Sequence, residues 1–419
     1  MKQNNLIVFL FGILFVQAIY FVGRVHIGEI IAVFYLLFHF FKLRFTDFEK
    51  KLIYFTFFIT LLQGFSDLYN STDLDKSLKG FFTYIVFTAS IIFLSRYLKS
   101  DKNFNRAIFF FIGASVGKIQ IPLFFGTYFW GNPWKWGLGY FTINLVLITA
   151  LFYKKDFSKL FFIIFSVAII YFSLLNNARS LLFVYGSSLI TYLLFYNSQK
   201  INLKFFNKKS SFMLLPLSYV LFAVILGIAV VKYSPAQSFV STFEAMDQKN
   251  TREGQGEFGV VASSRSALVS AFYAIKDRPI IGHGSYPEDK NMKYVTKQFE
   301  FLYKFGYAGK MPNIDRMNLI FGRVIPAHSY ILNSMVTAGI LGGAFWIFLT
   351  YFIVKNYANY SNYLPFIFHF GIIYYFYALF FSPWGAAGRI NLEVNLSLLI
   401  LYIASMESNK SRQQNKKIN

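Results

Sequence analysis

The chain has 419 residues, 56% of them hydrophobic and 21% aromatic, with 55 Phe and only 14% charged. Ordinary soluble domains carry about 25% charged residues. So few charges cannot cover this much apolar surface, which excludes a soluble enzyme, a disordered chain and a disulfide-stapled secreted domain. The class that remains is a polytopic membrane protein, and the mean hydropathy of +0.46 agrees with it. A formal charge of +22 would point to nucleic acid in a soluble chain. In a membrane protein it reads as positive charge gathered in cytoplasmic loops, so no nucleic-acid partner is expected. With no Cys at all, thiol catalysis, Cys-ligated zinc and disulfides are excluded.

Apolar runs long enough to cross a hydrocarbon core predict twelve spans, at 6–23, 27–41, 52–66, 80–95, 107–129, 138–153, 160–176, 180–196, 212–231, 328–354, 364–382 and 390–405. The first is read as an uncleaved span, because Gly23, Arg24 and Val25 follow it rather than a small-x-small cleavage site. With the N-terminus inside, the inner connectors hold 21 Lys plus Arg and the five short outer connectors hold 6. That asymmetry predicts both termini in the cytoplasm.

One connector stands apart. Residues 232–327 carry 13 Lys plus Arg and 9 Asp plus Glu, with Tyr, Phe and Ile at helical spacing and turn signals at Arg278-Pro279 and Gly282-His283-Gly284. A polar stretch of this length is expected to be functional or disordered, and its pattern reads as a small extracytoplasmic subdomain. The expected fold is therefore an all-α polytopic integral membrane protein of about 12 transmembrane helices with one large outer loop. Its parts are a nine-span bundle over 1–231, the loop over 232–327, three spans over 328–405 and a basic cytoplasmic tail over 406–419.

Few groups can do acid, base or phosphate chemistry. His39 and His369 read as packed or hydrogen-bonded structural residues, His26 falls in the first outer loop and His283 in a Gly-flanked turn. His328 lies where the large loop ends and the tenth span begins. A helix start exposes unpaired N–H groups and a partial positive charge, which favours an anion and a neutral imidazole. The plainer alternative is that His328 and Ser329 cap the helix. Arg179 stands in a very short outer turn, where a guanidinium is costly without an anion, the plainer reading being interfacial snorkelling.

Arg265 opens a helical stretch whose face it shares with Val269, Phe272 and Lys276, and Arg278 before Pro279 ends it. A solvated basic face would account for both. Lys118 is a lone cation inside the fifth span and so a functional candidate. Arg389 and Glu393 read as a helix-surface pair. No His-Glu-x-x-His and no complete phosphate-binding Gly-Lys loop is present, and neither a metal nor a nucleotide cofactor is expected. A neutral His with several Arg suits a reaction that expels an anionic leaving group: Arg stabilises phosphate charge and His removes a hydroxyl proton.

Three motifs carry a resemblance. Asn177-Ala178-Arg179-Ser180-Leu181-Leu182 is one. The second runs from Arg265 through Arg278-Pro279-Ile280-Ile281-Gly282-His283-Gly284. The third is His328-Ser329-Tyr330-Ile331-Leu332 followed by Ala338-Gly339-Ile340-Leu341-Gly342. In this order and at these stations they resemble the O-antigen ligase and polymerase superfamily of bacterial envelope glycosyltransferases, although Ser329 stands where Asn is usual and no Trp follows Arg265.

The resemblance implies a GT-C-like membrane fold in the bacterial inner membrane and an active site on its periplasmic face. It implies a metal-independent, inverting transfer from an undecaprenyl-diphosphate-linked glycan to a hydroxyl of an acceptor glycan or glycolipid. By it, Arg179 and Arg265 bind the diphosphate and His328 serves the acceptor hydroxyl; Arg278 and Lys118 are further donor-binding candidates. A flippase and a chain-length regulator are the partners such a locus implies. Polymerase and ligase share these hallmarks, and polymerase is preferred as the more varied in sequence. A repeat-unit transporter or flippase, or a non-catalytic scaffold, is the competing class.

Overall fold

The computed structural model describes residues 3–21, 23–99, 105–125, 134, 139–153, 159–175, 178–201, 266–304, 324–360, 364–382 and 384–418, and helices dominate them. The N-terminal part runs α1 (Gln3–Phe15), a hairpin of β1 (Ala18–Phe21) and β2 (Gly23–His26), then α2 (Ile27–His39), α3 (Asp47–Tyr69), α4 (Leu74–Tyr97) and α5 (Asn105–Phe125). It continues with α6 (Gly139–Tyr153), α7 (Lys159–Leu175) and α8 (Arg179–Ile201). The loop contributes α9 (Ala267–Asp277) and α10 (Lys293–Lys304). Beyond it come α11 (Tyr330–Ala338), α12 (Ala344–Tyr360), α13 (Phe366–Phe381) and α14 (Ala386–Ile418). The expected span at 212–231 lies outside the described residues, as do 202–265 and 305–323 of the polar segments.

Among the described residues, Asp47–Tyr69, Leu74–Tyr97 and Ile340–Tyr360 are long and apolar enough to cross a membrane, and shorter apolar helices surround them. Their exposed faces carry residues such as Phe57, Phe65, Leu68, Ile347 and Tyr351, the surface that a lipid solvent requires and water would not tolerate. Where helices must touch closely, glycine opens the way. A Cβ on Gly113 would lie 2.0 Å from the carbonyl oxygen of Phe9, and one on Gly12 would lie 2.2 Å from that of Phe110. The Gly113-x-x-x-Gly117 spacing thus packs α5 backbone to backbone on α1, as small residues do in lipid, where no hydrophobic force drives helices together.

Two expected spans are corrected. The apolar run 6–23 is not one helix: α1 stops at Phe15 and the chain turns into the β1–β2 hairpin, with Ala18 opposite His26. Hydropathy cannot tell a strand from a helix in a short apolar run. Here the aromatic and β-branched set Ile19, Tyr20, Phe21 and Val25 favours the strand, and Gly23 supplies the turn at φ +90°. The run 328–354 is also broken. Its first part is the nine-residue α11, and after Gly339 the chain restarts as a short 3-10 turn leading into α12.

Gly339 is the cause of that break. Its φ is +75°, a region that costs any residue with a Cβ, and a Cβ there would sit 2.0 Å from the carbonyl oxygen of Ile280. The close approach is a backbone interlock. Pro279 O accepts from Ile340 N at 2.7 Å, while His283 N and Gly284 N donate to Val336 O and Thr337 O at 2.8 and 3.0 Å. The end of α3 clamps the same loop: Ser66 Oγ donates to Thr337 O and accepts from Gly284 N, and Asp67 takes both the N–H and the hydroxyl of Ser285 at 2.5 and 2.7 Å. Asn70 Nδ2 adds a bond to Gly282 O at 3.2 Å. On the far side of α11, Ala271 and Ala274 of α9 pack with Ile325, Ala327, Leu332 and Val336.

Replacing Gly339 with Ala should therefore lower the thermal unfolding midpoint in detergent by several degrees, a loss of about 2 kcal/mol or more from strain and clash together. The same change at Gly64, whose Cβ would meet nothing within 4 Å, should leave the midpoint unchanged or raise it. Equal effects at the two glycines would contradict the interlock.

Candidate functional site

Ser329 is the N-cap of α11. Its hydroxyl accepts from Leu332 N at 3.1 Å and donates to Leu379 O near the end of α13 at 2.7 Å, and the side chain is fully buried. Ser and Asn are interchangeable at such a cap, which gives a physical reason for the departure at this position. Ser329 is the cap, and His328, one residue before it, is exposed to solvent. An imidazole thus stands at the start of a helix that is tied down on both flanks, by Leu379 at one end and the interlock at the other.

Arg179 is the first residue of α8. The rings of Phe183 and Tyr377 lie 6.3 Å apart, and further along Tyr192 meets Phe366 at 5.4 Å. The helices α8 and α13 therefore run antiparallel, and the start of α8 falls at the end of α13 that carries Leu379. The starts of α8 and α11 meet the same end of one helix. Arg265 lies outside the described residues. Ser266, which follows it, is the buried N-cap of α9 and accepts from Gln298 Nε2 at 2.9 Å. Arg278 is exposed and donates to Asn70 Oδ1 at the end of α3.

Lys118 does not join them. It is buried, with Nζ 3.4 Å from His26 Nε2, and belongs to a cluster that sequence reading missed. His26 donates through its backbone N–H to Glu29 Oε2 at 2.7 Å, and its Nδ1 lies 3.2 Å from the same oxygen. Arg389 grips that carboxylate with Nε at 2.5 Å and Nη2 at 2.9 Å. The geometry puts a proton on Nδ1 and leaves Nε2 as acceptor toward Lys118. The expected Arg389–Glu393 pair exists at 3.7 Å, but both partners are buried, not on the helix surface, and the tighter bonds of Arg389 go to Glu29. The only sequence trace of the cluster was the spacing of His26 and Glu29 at a helix start. Charges removed from solvent must pair, and breaking such a pair is costly.

The remaining histidines are structural. His369 is buried and its Nδ1 lies 2.7 Å from the Tyr357 hydroxyl; the Nδ1 of His39 lies 3.0 Å from Tyr35 O. His283 sits inside the interlock with Nε2 2.9 Å from Ala274 O, and burial lowers its pKa below the ordinary value. Among the described residues no group of three His, Cys, Asp or Glu could hold a metal ion.

Burial, reinforced by the positive charge of Lys118, pushes the pKa of His26 down from 6.5 to about 4 even though Glu29 opposes the shift. The folded chain thus resists a proton that the unfolded chain accepts. The contribution to stability is intact above 6.5 and is lost as pH falls toward 4, about 3 kcal/mol over that window. A thermal-unfolding series should show a drop across this range that His26→Gln flattens, and an unaltered slope in the variant would contradict it.

Residues 164–347 match the family model described as O-antigen ligase. No curated protein and no solved structure matches the chain. The matched segment reaches from α7 to the start of α12, taking in the start of α8, the interlock and His328. Over this segment the chain is similar to the O-antigen ligase family, which supports the resemblance seen in its motifs.

Proposed function

We propose that the protein is a metal-independent glycosyltransferase of cell-surface polysaccharide assembly, an O-antigen, capsule or exopolysaccharide polymerase or an O-antigen ligase. It takes an undecaprenyl-diphosphate-linked glycan as donor. The observation that carries this reading is the exposed His328 at the start of α11, set at the same end of α13 as the start of α8 with Arg179. In the proposal that end of the bundle faces the periplasm and both chain termini are cytoplasmic. Arg179 and Arg265 hold the diphosphate by charge-assisted hydrogen bonds.

The chemistry balances without a cofactor. His328 takes the proton of the acceptor hydroxyl, and the oxygen attacks the anomeric carbon from the face opposite the lipid. The C–O bond to the diphosphate breaks with inversion, and the bond's electron pair leaves on the phosphate oxygen, where guanidinium groups stabilise it. Arg278 is a further donor-binding candidate; it adds positive potential that draws the anionic donor.

One observation favours a second reading, translocation of the repeat unit. The buried set His26, Glu29, Lys118, Arg389 and Glu393 is the kind of intramembrane charge that transporters use. The two separate cleanly in a deletion strain. For the enzyme, His328→Ala abolishes glycan assembly while donor still reaches the outer face; donor trapped inside supports translocation.

With purified protein, His328→Ala should lower transfer by about 100-fold to 10,000-fold, the range of a lost general base, with the amount of membrane-inserted protein unchanged. Arg179→Ala and Arg265→Ala should lose nearly all turnover and recover none in EDTA, while the unmodified chain keeps its rate in EDTA. Full activity of both Arg variants would overturn their assignment.

A further inference from the structure

Beneath His328 the interior is aromatic and uncharged, yet not fully hydrogen-bonded. The Tyr330 ring lies 4.8 Å from Trp384 and 5.2 Å from Trp346, and the two Trp rings are 4.7 Å apart. Trp346 is satisfied, its Nε1 donating to Ser334 Oγ at 2.7 Å, and the Tyr84 hydroxyl bonds the same oxygen. The Tyr330 hydroxyl and Trp384 Nε1 are not: both atoms are buried with no hydrogen-bond partner among the described residues. The Tyr330 side chain is completely enclosed. Tyr140 accepts from Asn395 Nδ2 at 2.6 Å and its ring lies 4.4 Å from Tyr374. One turn along α6, Asn144 Oδ1 is likewise buried without a partner.

Buried polar groups are bonded as a rule, and each exception calls for a ligand, a water or a catalytic role. Here two exceptions, Tyr330 and Trp384, stand ring against ring, and Tyr330 is two residues from the exposed imidazole. Ring faces that take C–H surface, with neutral donors and acceptors at their edges, are the chemistry of a sugar ring rather than of a phosphate, which would need the guanidinium groups above.

We propose that the Tyr330 hydroxyl and Trp384 Nε1 form an uncharged sugar subsite that seats the ring next to the bond made at His328. The subsite rests on the glycosyl-transfer reading and deepens it: Tyr330 and Trp384 would set which sugar reacts. The same ring chemistry fits the terminal sugar of the acceptor or the first sugar of the donor.

The test uses the full-length protein in nanodiscs. A lipid-diphosphate-linked repeat unit is the donor, and a second repeat unit or a core glycolipid is the acceptor. Tyr330→Phe keeps the ring and removes an oxygen that bonds no protein group, so its unfolding midpoint should equal that of the unmodified chain. Its kcat/KM should nevertheless fall by about 10-fold or more, as when a polar contact to a sugar hydroxyl is lost. Trp384→Phe should raise the same KM. A raised acceptor KM assigns the subsite to the acceptor, and a raised donor KM to the donor. Unaltered kcat and KM for both substrates in Tyr330→Phe overturn the subsite, as does a loss of activity matched by a loss of thermal stability. Titration of the lipid-linked repeat unit, read by tryptophan fluorescence, separates the subsite from the chemistry. If the unmodified chain binds but transfers nothing, glycosyl transfer falls. Weaker binding by Tyr330→Phe then still upholds the subsite, and equal binding overturns it.

Discussion

A loop and a helix end share their backbone hydrogen bonds, and the rest of the site depends on that exchange. Where α11 stops, Val336 and Thr337 give their carbonyls to His283 and Gly284, and Ile340 gives its N–H to Pro279. Helix ends leave such groups unpaired; inside a bundle they must be satisfied by something other than water. The loop supplies them, and Ser66, Asp67 and Asn70 of α3 satisfy the loop in turn. The contact is close enough that only glycine fits at 282 and 339: a Cβ at 282 would come within 2.5 Å of Gly339 N. This fixes both the direction of α11 and the place of its first residue, and with it His328.

Two of the sequence motifs thereby acquire a single cause. Pro279 through Gly284 and Ala338 through Gly342 read as separate signatures along the chain, yet they are the two halves of one interface. Their glycines mark the crossing of two backbones. His328 and Ser329, at the opposite end of α11, divide the remaining work: Ser329 anchors the helix to α13 and leaves the imidazole exposed.

How much of this was legible depended on the range of the interaction. Membrane character and helical class follow from composition and local pattern. The breaks at residues 18–26 and at Gly339 did not, because an apolar run looks the same whether it forms a helix, a strand or a helix with a bend. The Gly113-x-x-x-Gly117 spacing could have shown the α1–α5 contact, since it needs no partner sequence to be seen. The cluster of His26, Glu29, Lys118 and Arg389 joins Glu29 to Arg389 across 360 residues, and no window along the chain contains it. Lys118 was correctly singled out as a buried cation, but its neighbours make it part of that cluster instead of a partner for His328. Tyr330 and Trp384 were invisible for a different reason: aromatic residues are everywhere in this chain, and only the lack of a bonding partner sets these two apart.

The absence of Cys from the chain makes the central claim, that Arg179, Arg265 and His328 converge on one pocket, directly measurable. Cysteine pairs placed at 179 with 328 and at 265 with 328 (Arg179→Cys or Arg265→Cys with His328→Cys) can be treated in native membranes with a short bifunctional maleimide. Lys209→Cys with His328→Cys, on opposite membrane faces in the proposed topology, serves as the control. Convergence predicts intramolecular cross-linking of the first two pairs and none of the third. Cross-linking of neither test pair above the control would mean that no shared pocket exists at that end of α13, and the catalytic assignment would fall with it.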